Sequence, residues 1–236
     1  MNHRPPLAHP LADQFAATVA SIHVLAEHVL CVARHASVGR IGLVASANGV
    51  ATPAFGDDDR VVAIEGAELV DRSRAGERRA PITTARAAAQ FFRVSPGVPG
   101  GLWRPVTPLD LDAPLLVDLD ASRALAAWFG FVDEALAALA SGGADLEPST
   151  LWPEGFDLAT TGAAVNYGGS TGDGFLDQPY LYVGPHDHDF PVADPPYWNA
   201  SFGAALRYDD IASYEDAVAF LVRGFELTSG GARRSA

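Results

Sequence analysis

Arg40-Ile-Gly-Leu-Val-Ala-Ser-Ala47, then Asn48-Gly49, then Val50-Ala-Thr-Pro-Ala-Phe55 is the stretch whose reading decides the fold. Two short apolar runs around an Asn-Gly pair predict a β-hairpin, because both residues tolerate the positive φ of a type I′ turn. The pattern recurs at once: Arg60 to Glu65, Gly66-Ala67, then Glu68 to Arg72 predicts a second hairpin. Four short strands in succession, with no helix between them, point away from a Rossmann-like alternation and towards antiparallel pairing.

Working outward, helices flank these hairpins. Phe15, Val19, Ile22, Ala26, Val29 and Ala33 recur at alternating intervals of four and three, which predicts one helix from about Asp13 to His35. Pro81 leads into a shorter helix, about Thr83 to Arg93, that turns Phe91 and Phe92 inward. Ser95 to Pro114 then holds five prolines and three glycines without a period, and reads as a surface linker. Past it, Asp120 is the expected N-cap of a helix carrying Leu125, Trp128, Phe129, Val132, Leu136 and Leu139, which stops at Gly142-Gly143. Strands are predicted over Phe156 to Tyr167, Pro179 to Gly184 and Asn199 to Tyr208. Ser213-Tyr-Glu-Asp216 opens a last helix as a capping-box-like start. The expected fold class is α+β, with antiparallel sheets flanked by helices. The chain is expected to be a single compact unit over 1–236. Within it lie two possible similar halves, 1–95 (helix, two hairpins, helix) and 115–228 (helix, three strands, helix), joined by the linker 95–114.

Composition excludes several classes. The net charge is −13, with 29 acidic residues against 16 cations, and every cation is an arginine. A lysine-free acidic chain is not expected to bind nucleic acid, and it offers no Schiff-base, P-loop or kinase-type lysine. Cys31 stands alone, so no intramolecular disulfide or multi-cysteine metal site can form. A single unpaired thiol, a start without an uninterrupted apolar h-region and no obvious membrane-length apolar stretch lead to the expectation of a cytoplasmic protein without a membrane partner. With 42 alanines and arginine throughout, the usage resembles that of a GC-rich bacterial genome.

Chemistry concentrates between residues 152 and 208. Trp152-Pro-Glu-Gly-Phe-Asp157-Leu-Ala, Asn166-Tyr-Gly-Gly-Ser-Thr-Gly-Asp173, Pro179-Tyr-Leu-Tyr-Val-Gly-Pro185 and Tyr197-Trp-Asn-Ala-Ser-Phe-Gly203 follow one another. These blocks resemble an uncharacterised group of bacterial, actinobacterial-type proteins with the same four patterns, and the resemblance covers about a quarter of the chain. More loosely, the N-terminal helix, the Gly49–Pro53 strand and the Phe-Asp-Leu-Ala strand look like a longer bacterial family. Neither resemblance carries an activity.

Read chemically, the blocks mix aromatic surface with a few polar tips, the usual composition of a small-molecule pocket. In an extended strand Tyr180 and Tyr182 share a face. The expected function is therefore binding of a small organic ligand by Trp152, Tyr167, Tyr180, Tyr182, Trp198 and Asn199. One alternative is an enzyme using Glu154 or Asp157 as general base, with Tyr180 or Tyr182 as proton donor. The other is a structural or interaction protein whose aromatic residues merely edge a core. No cofactor and no metal are expected. His186 and His188 lie on one face of an extended run, but Phe190 and Pro191 stand where a metallohydrolase pattern needs Asp and His. Gly168-Gly-Ser-Thr-Gly172 reads as a turn, since no lysine or helix follows to make a phosphate loop or a nucleophile elbow of Ser170. The sequence sets no oligomeric state.

Overall fold

The computed structural model describes residues 14–187 and 196–232. The fold is α+β, with two antiparallel five-stranded sheets and flanking helices. The chain divides into two compact units. The N-terminal unit comprises the described residues up to Gly130 together with Leu151–Phe156, and the C-terminal unit comprises Phe131–Thr150 and the described residues from Asp157 onward. The division falls inside a helix, between Gly130 and Phe131. The proline-rich stretch 95–114, expected to join two halves, lies wholly within the first unit.

In the N-terminal unit the strands β1 (Val44–Ser46), β2 (Gly49–Ala51), β3 (Val61–Glu65), β4 (Glu68–Ser73) and β5 (Gly76–Pro81) form a meander in chain order. The first hairpin is set one residue earlier than expected. Ser46 pairs with Gly49, so the turn is Ala47-Asn48 and Gly49 opens β2. Glycine is needed there for a different reason: a Cβ on Gly49 would stand 2.1 Å from the Ile64 carbonyl oxygen of β3. The Gly66-Ala67 turn falls where the sequence predicts it, with Glu65 opposite Glu68 and Gly66 at φ +61. β5 was not anticipated, because Gly-Glu-Arg-Arg-Ala-Pro is exposed and carries no apolar alternation.

The first helix is interrupted. α1 (Phe15–Leu25) and α2 (Cys31–Val38) are joined by a π-helical turn, Ala26–Leu30, whose residues are all buried. A π-turn inserts a residue into helical phase and is found mostly where a side chain has special work. α3 (Ala85–Phe92), with Thr84 Oγ1 accepting the Ala87 N–H as its N-cap, packs on this turn and on β4. α4 (Leu119–Ser141) is capped by Asp118, whose Oδ1 accepts from Asp120 N and Ala121 N. The expected cap, Asp120, lies inside the first turn and pairs with Arg123. Two helical stretches, Phe15–Val38 and Leu119–Ser141, have the length and apolarity to cross a membrane, with window hydropathies of 1.7 and 1.4, which corrects the expectation that none does. Half or more of each window is buried within the protein, as in any core helix.

The second sheet is ordered β10-β9-β8-β7-β6, from β6 (Thr150–Trp152), β7 (Asp157–Gly162), β8 (Val165–Ser170), β9 (Tyr180–Pro185) and β10 (Ala204–Arg207). Phe156 to Tyr167, expected as one strand, is a hairpin instead. Its two-residue turn is Ala163-Ala164, both at positive φ, +49° and +62°. Alanine pays a steric cost in that conformation that Asn-Gly avoids, so the turn carries no sequence signature. α5 (Tyr214–Ala232) starts as predicted: Ser213 Oγ accepts the Asp216 N–H at 3.1 Å and donates to its carboxylate at 2.8 Å. It packs on β9 and β10.

Candidate functional site

Strand alternation decides which of the expected residues meet. Tyr167 and Val183 are register partners facing α5: the Tyr167 hydroxyl lies 3.2 Å from Thr228 Oγ1, and Val183 packs where Gly224 leaves room. Tyr180 and Tyr182 therefore face the other way. Register places Asp157 opposite Ser170, and Ser170 opposite Tyr180, in one row across β7, β8 and β9. The Tyr182 hydroxyl donates to Asp157 Oδ2, and the Tyr180 hydroxyl donates to Asp173 Oδ2 at 2.6 Å. Gly168 makes this possible, since a Cβ there would sit 2.8 Å from the Tyr182 hydroxyl.

Around the two phenols stands an aromatic cluster. The ring centroids of Tyr180 and Tyr182 are 6.3 Å apart, and the Phe202 ring lies 6.4 Å from each. Phe175 is 5.1 Å from Phe202 and 46% exposed, so the cluster reaches the surface. Burial, followed by the Asp173 carboxylate, pushes the Tyr180 phenol well up. Burial and the Asp157 charge do the same to Tyr182. Both phenols are thus protonated at neutral pH and act as donors. Asp173 is fully committed, because its Oδ1 accepts from Phe175 N at 2.8 Å and Leu176 N at 3.2 Å, folding the 171–178 loop onto the sheet.

Other expected residues lie elsewhere. Asn199 is a backbone clip, accepting from Ala205 N at 2.8 Å and donating to Ala205 O at 2.9 Å. Trp198 meets Tyr197 edge-on at 4.9 Å, and the Tyr197 hydroxyl donates to Phe220 O of α5. Tyr167 is on the covered face, for the alternation reason above. Trp152, 37% exposed, and Glu154 belong to the N-terminal unit. The side chain of His186 lies 2.9 Å from Asn166 Oδ1, and His188 is outside the described residues. Among the described residues no group of three or more His, Cys, Asp or Glu has the geometry to hold a metal ion.

Sequence reasoning missed a second polar centre, in the N-terminal unit. Glu27, on the π-turn, has a fully buried carboxylate that accepts four hydrogen bonds from the 95–114 stretch. Trp103 Nε1 (2.9 Å) and Val106 N (2.8 Å) reach Oε1, while Thr107 N (2.8 Å) and Thr107 Oγ1 (2.6 Å) reach Oε2. Burial raises its pKa, but the hydrogen bonds outweigh burial and leave it below the usual range. The same stretch is held by the His28 ring, whose Nε2 is 3.0 Å from Thr107 O. This clasp is why the proline-rich segment lies against one unit instead of spanning two. The one signal for it was a lone carboxylate amid an apolar helical run.

Glu154 is the opposite case. One of its carboxylate oxygens is buried without a partner, and burial, with the nearby Glu27 charge, raises its pKa. A carboxyl whose folded pKa exceeds its unfolded value stabilises fully below the unfolded pKa, and loses that contribution as pH rises through the folded value. Glu154→Gln is therefore expected to raise the melting temperature at pH 7 by roughly 2–4 °C. In melts recorded from pH 7 down to pH 4 the gap between variant and parent should close.

Comparisons of the chain with family models, with curated proteins and with solved structures find no match.

Proposed function

We infer that the protein binds a small organic molecule on the face of the second sheet that carries Asp157, Tyr180 and Tyr182. The observation that carries this reading is the Asp157–Tyr182 pair. It is a carboxylate and a protonated phenol, both part-exposed, beside an aromatic cluster that opens to solvent at Phe175. Such a surface suits a ligand with hydroxyl or amine donors for Asp157 and an apolar flank for Phe175 and Phe202. The Tyr180–Asp173 pair serves the site by fixing the loop that presents Phe175. The reading uses no cofactor or metal, and its setting is the cytoplasm.

A structural role for the same face is the second reading, favoured by the full commitment of Asp173. Tyr182→Phe separates the two. Under the binding reading, the variant keeps its melting temperature within about 1 °C and loses the stabilisation that a screened ligand gives the parent. Under the structural reading it melts several degrees lower with no ligand present, because Asp157 loses the Tyr182 hydroxyl.

A further inference from the structure

We propose that the N-terminal unit binds a small oxyanion, a carboxylate or phosphate group, in a cleft of about 390 Å³ lined by Arg60, Arg78, Arg93 and Ser73. The charge distribution singles out this region. Residues 57–93, which include the cleft's Asp58, hold seven arginines and seven acids and so balance locally, in a chain whose net charge is −13.

The cleft is built before any ligand arrives. Asp71 on β4 stands between Arg60 and Arg78. Arg60 donates to it through Nε (2.9 Å) and Nη2 (3.1 Å), and Arg78 through Nη2. The same two Nη2 groups also reach the last carbonyls of α3, Phe92 O at 2.7 Å and Phe91 O at 3.1 Å. The Arg78 guanidinium lies 4.9 Å over the Phe91 ring. Both guanidiniums are therefore fixed, and Asp71, though burial raises its pKa, is held below the usual range by those two arginines.

What remains is donor capacity without an acceptor. One carboxylate sits against two guanidiniums, so Arg60 Nη1 and Arg78 Nε and Nη1 make no hydrogen bond among the described residues. Arg93 ends α3 at φ +60, and its exposed guanidinium makes no hydrogen bond among the described residues. Two other acids line the cleft. Glu77 is paired from outside it by Arg72 Nε at 2.7 Å and Arg79 Nε at 2.6 Å, which Glu65 and Glu68 share, while Asp58 opposes one positive charge. The Ser73 hydroxyl accepts the Ala75 N–H at 3.2 Å and keeps its own proton to donate. Fixed guanidinium forks with spare N–H groups, flanked by an exposed arginine and a hydroxyl, match the geometry and charge of an oxyanion.

The test is calorimetric titration of the full chain with inorganic phosphate and, separately, citrate, together with melts against sodium chloride at matched ionic strength. Saturable binding and a melting-temperature rise beyond that of chloride are expected. A phosphate-only response assigns a tetrahedral oxyanion, and a citrate-only response a carboxylate. Arg93→Asn, chosen because asparagine tolerates the left-handed backbone, should leave the ligand-free melt unchanged and weaken binding about tenfold. Arg78→Gln should weaken it similarly, whereas Arg123→Gln on α4 should not. The proposal is overturned if neither anion binds beyond the chloride effect, or if Arg93→Asn and Arg78→Gln bind as tightly as the parent.

Discussion

Glu27→Ala is expected to cost about 3–5 kcal/mol of stability, read as a lower urea midpoint at unchanged slope. The substitution strands four donors at once, on Trp103, Val106 and Thr107, around a carboxylate with no solvent exposure. Glu27→Gln should recover little of the loss. An amide keeps one acceptor oxygen but turns an N–H₂ towards either the Thr107 donors or the Trp103 and Val106 donors, and donor against donor is repulsive. The pH dependence has the sign opposite to that of Glu154. A carboxyl whose folded pKa is depressed contributes stability above its unfolded pKa, and that contribution fades as pH falls through the folded value. The gap between parent and Glu27→Ala should therefore be full at pH 7 and narrow only below about pH 4.5. A loss under 1 kcal/mol at pH 7 would show that the 95–114 stretch holds its place by other means.

The second large effect is at Gly168. A Cβ at this position would lie 2.6 Å from the Leu158 carbonyl oxygen and 2.8 Å from the Tyr182 phenol. The phenol can tilt away, but a neighbouring strand's backbone oxygen yields only if β7 and β8 separate. Gly168→Ala is expected to lose about 3 kcal/mol and to displace Tyr182 from Asp157. Gly174, with nothing within 4 Å of its would-be Cβ, is the matched control and should tolerate alanine within about 0.5 kcal/mol. Urea titration gives the energies, and near-ultraviolet circular dichroism reports the tyrosine environment. Equal stability of the two variants would contradict the packing of Tyr182 over β8.

The contrast between Gly168 and Glu27 also marks how far the sequence is legible. Periodicity, with Pro81 and the Ser213 cap, located the α-helices among the described residues, and turn chemistry located the Gly66-Ala67 hairpin, because those signals are local. β5 escaped because an exposed strand needs no apolar alternation. The β7–β8 turn escaped because Ala163 and Ala164 adopt a conformation that neither prefers. At the candidate site, alternation alone put Tyr180 and Tyr182 on one face. Which carboxylate each phenol meets depends on strand order and register, and so did the exclusion of Tyr167, which shares its strand neighbours but points to α5. Glu27 was beyond reach for a further reason: its partners are 76 to 80 residues away in the chain.

β5 pairs with β4 along one side only, and is an edge of its sheet. An extended backbone edge invites docking by the same edge of another molecule, and charged side chains along it make that approach unfavourable. Glu77, Arg78 and Arg79 supply that charge, so the strand that lines the cleft also presents an edge ill suited to pairing with its like. Neutralising Arg78 and Arg79 together would then trade colloidal behaviour as well as cleft chemistry, and the loss would grow with protein concentration.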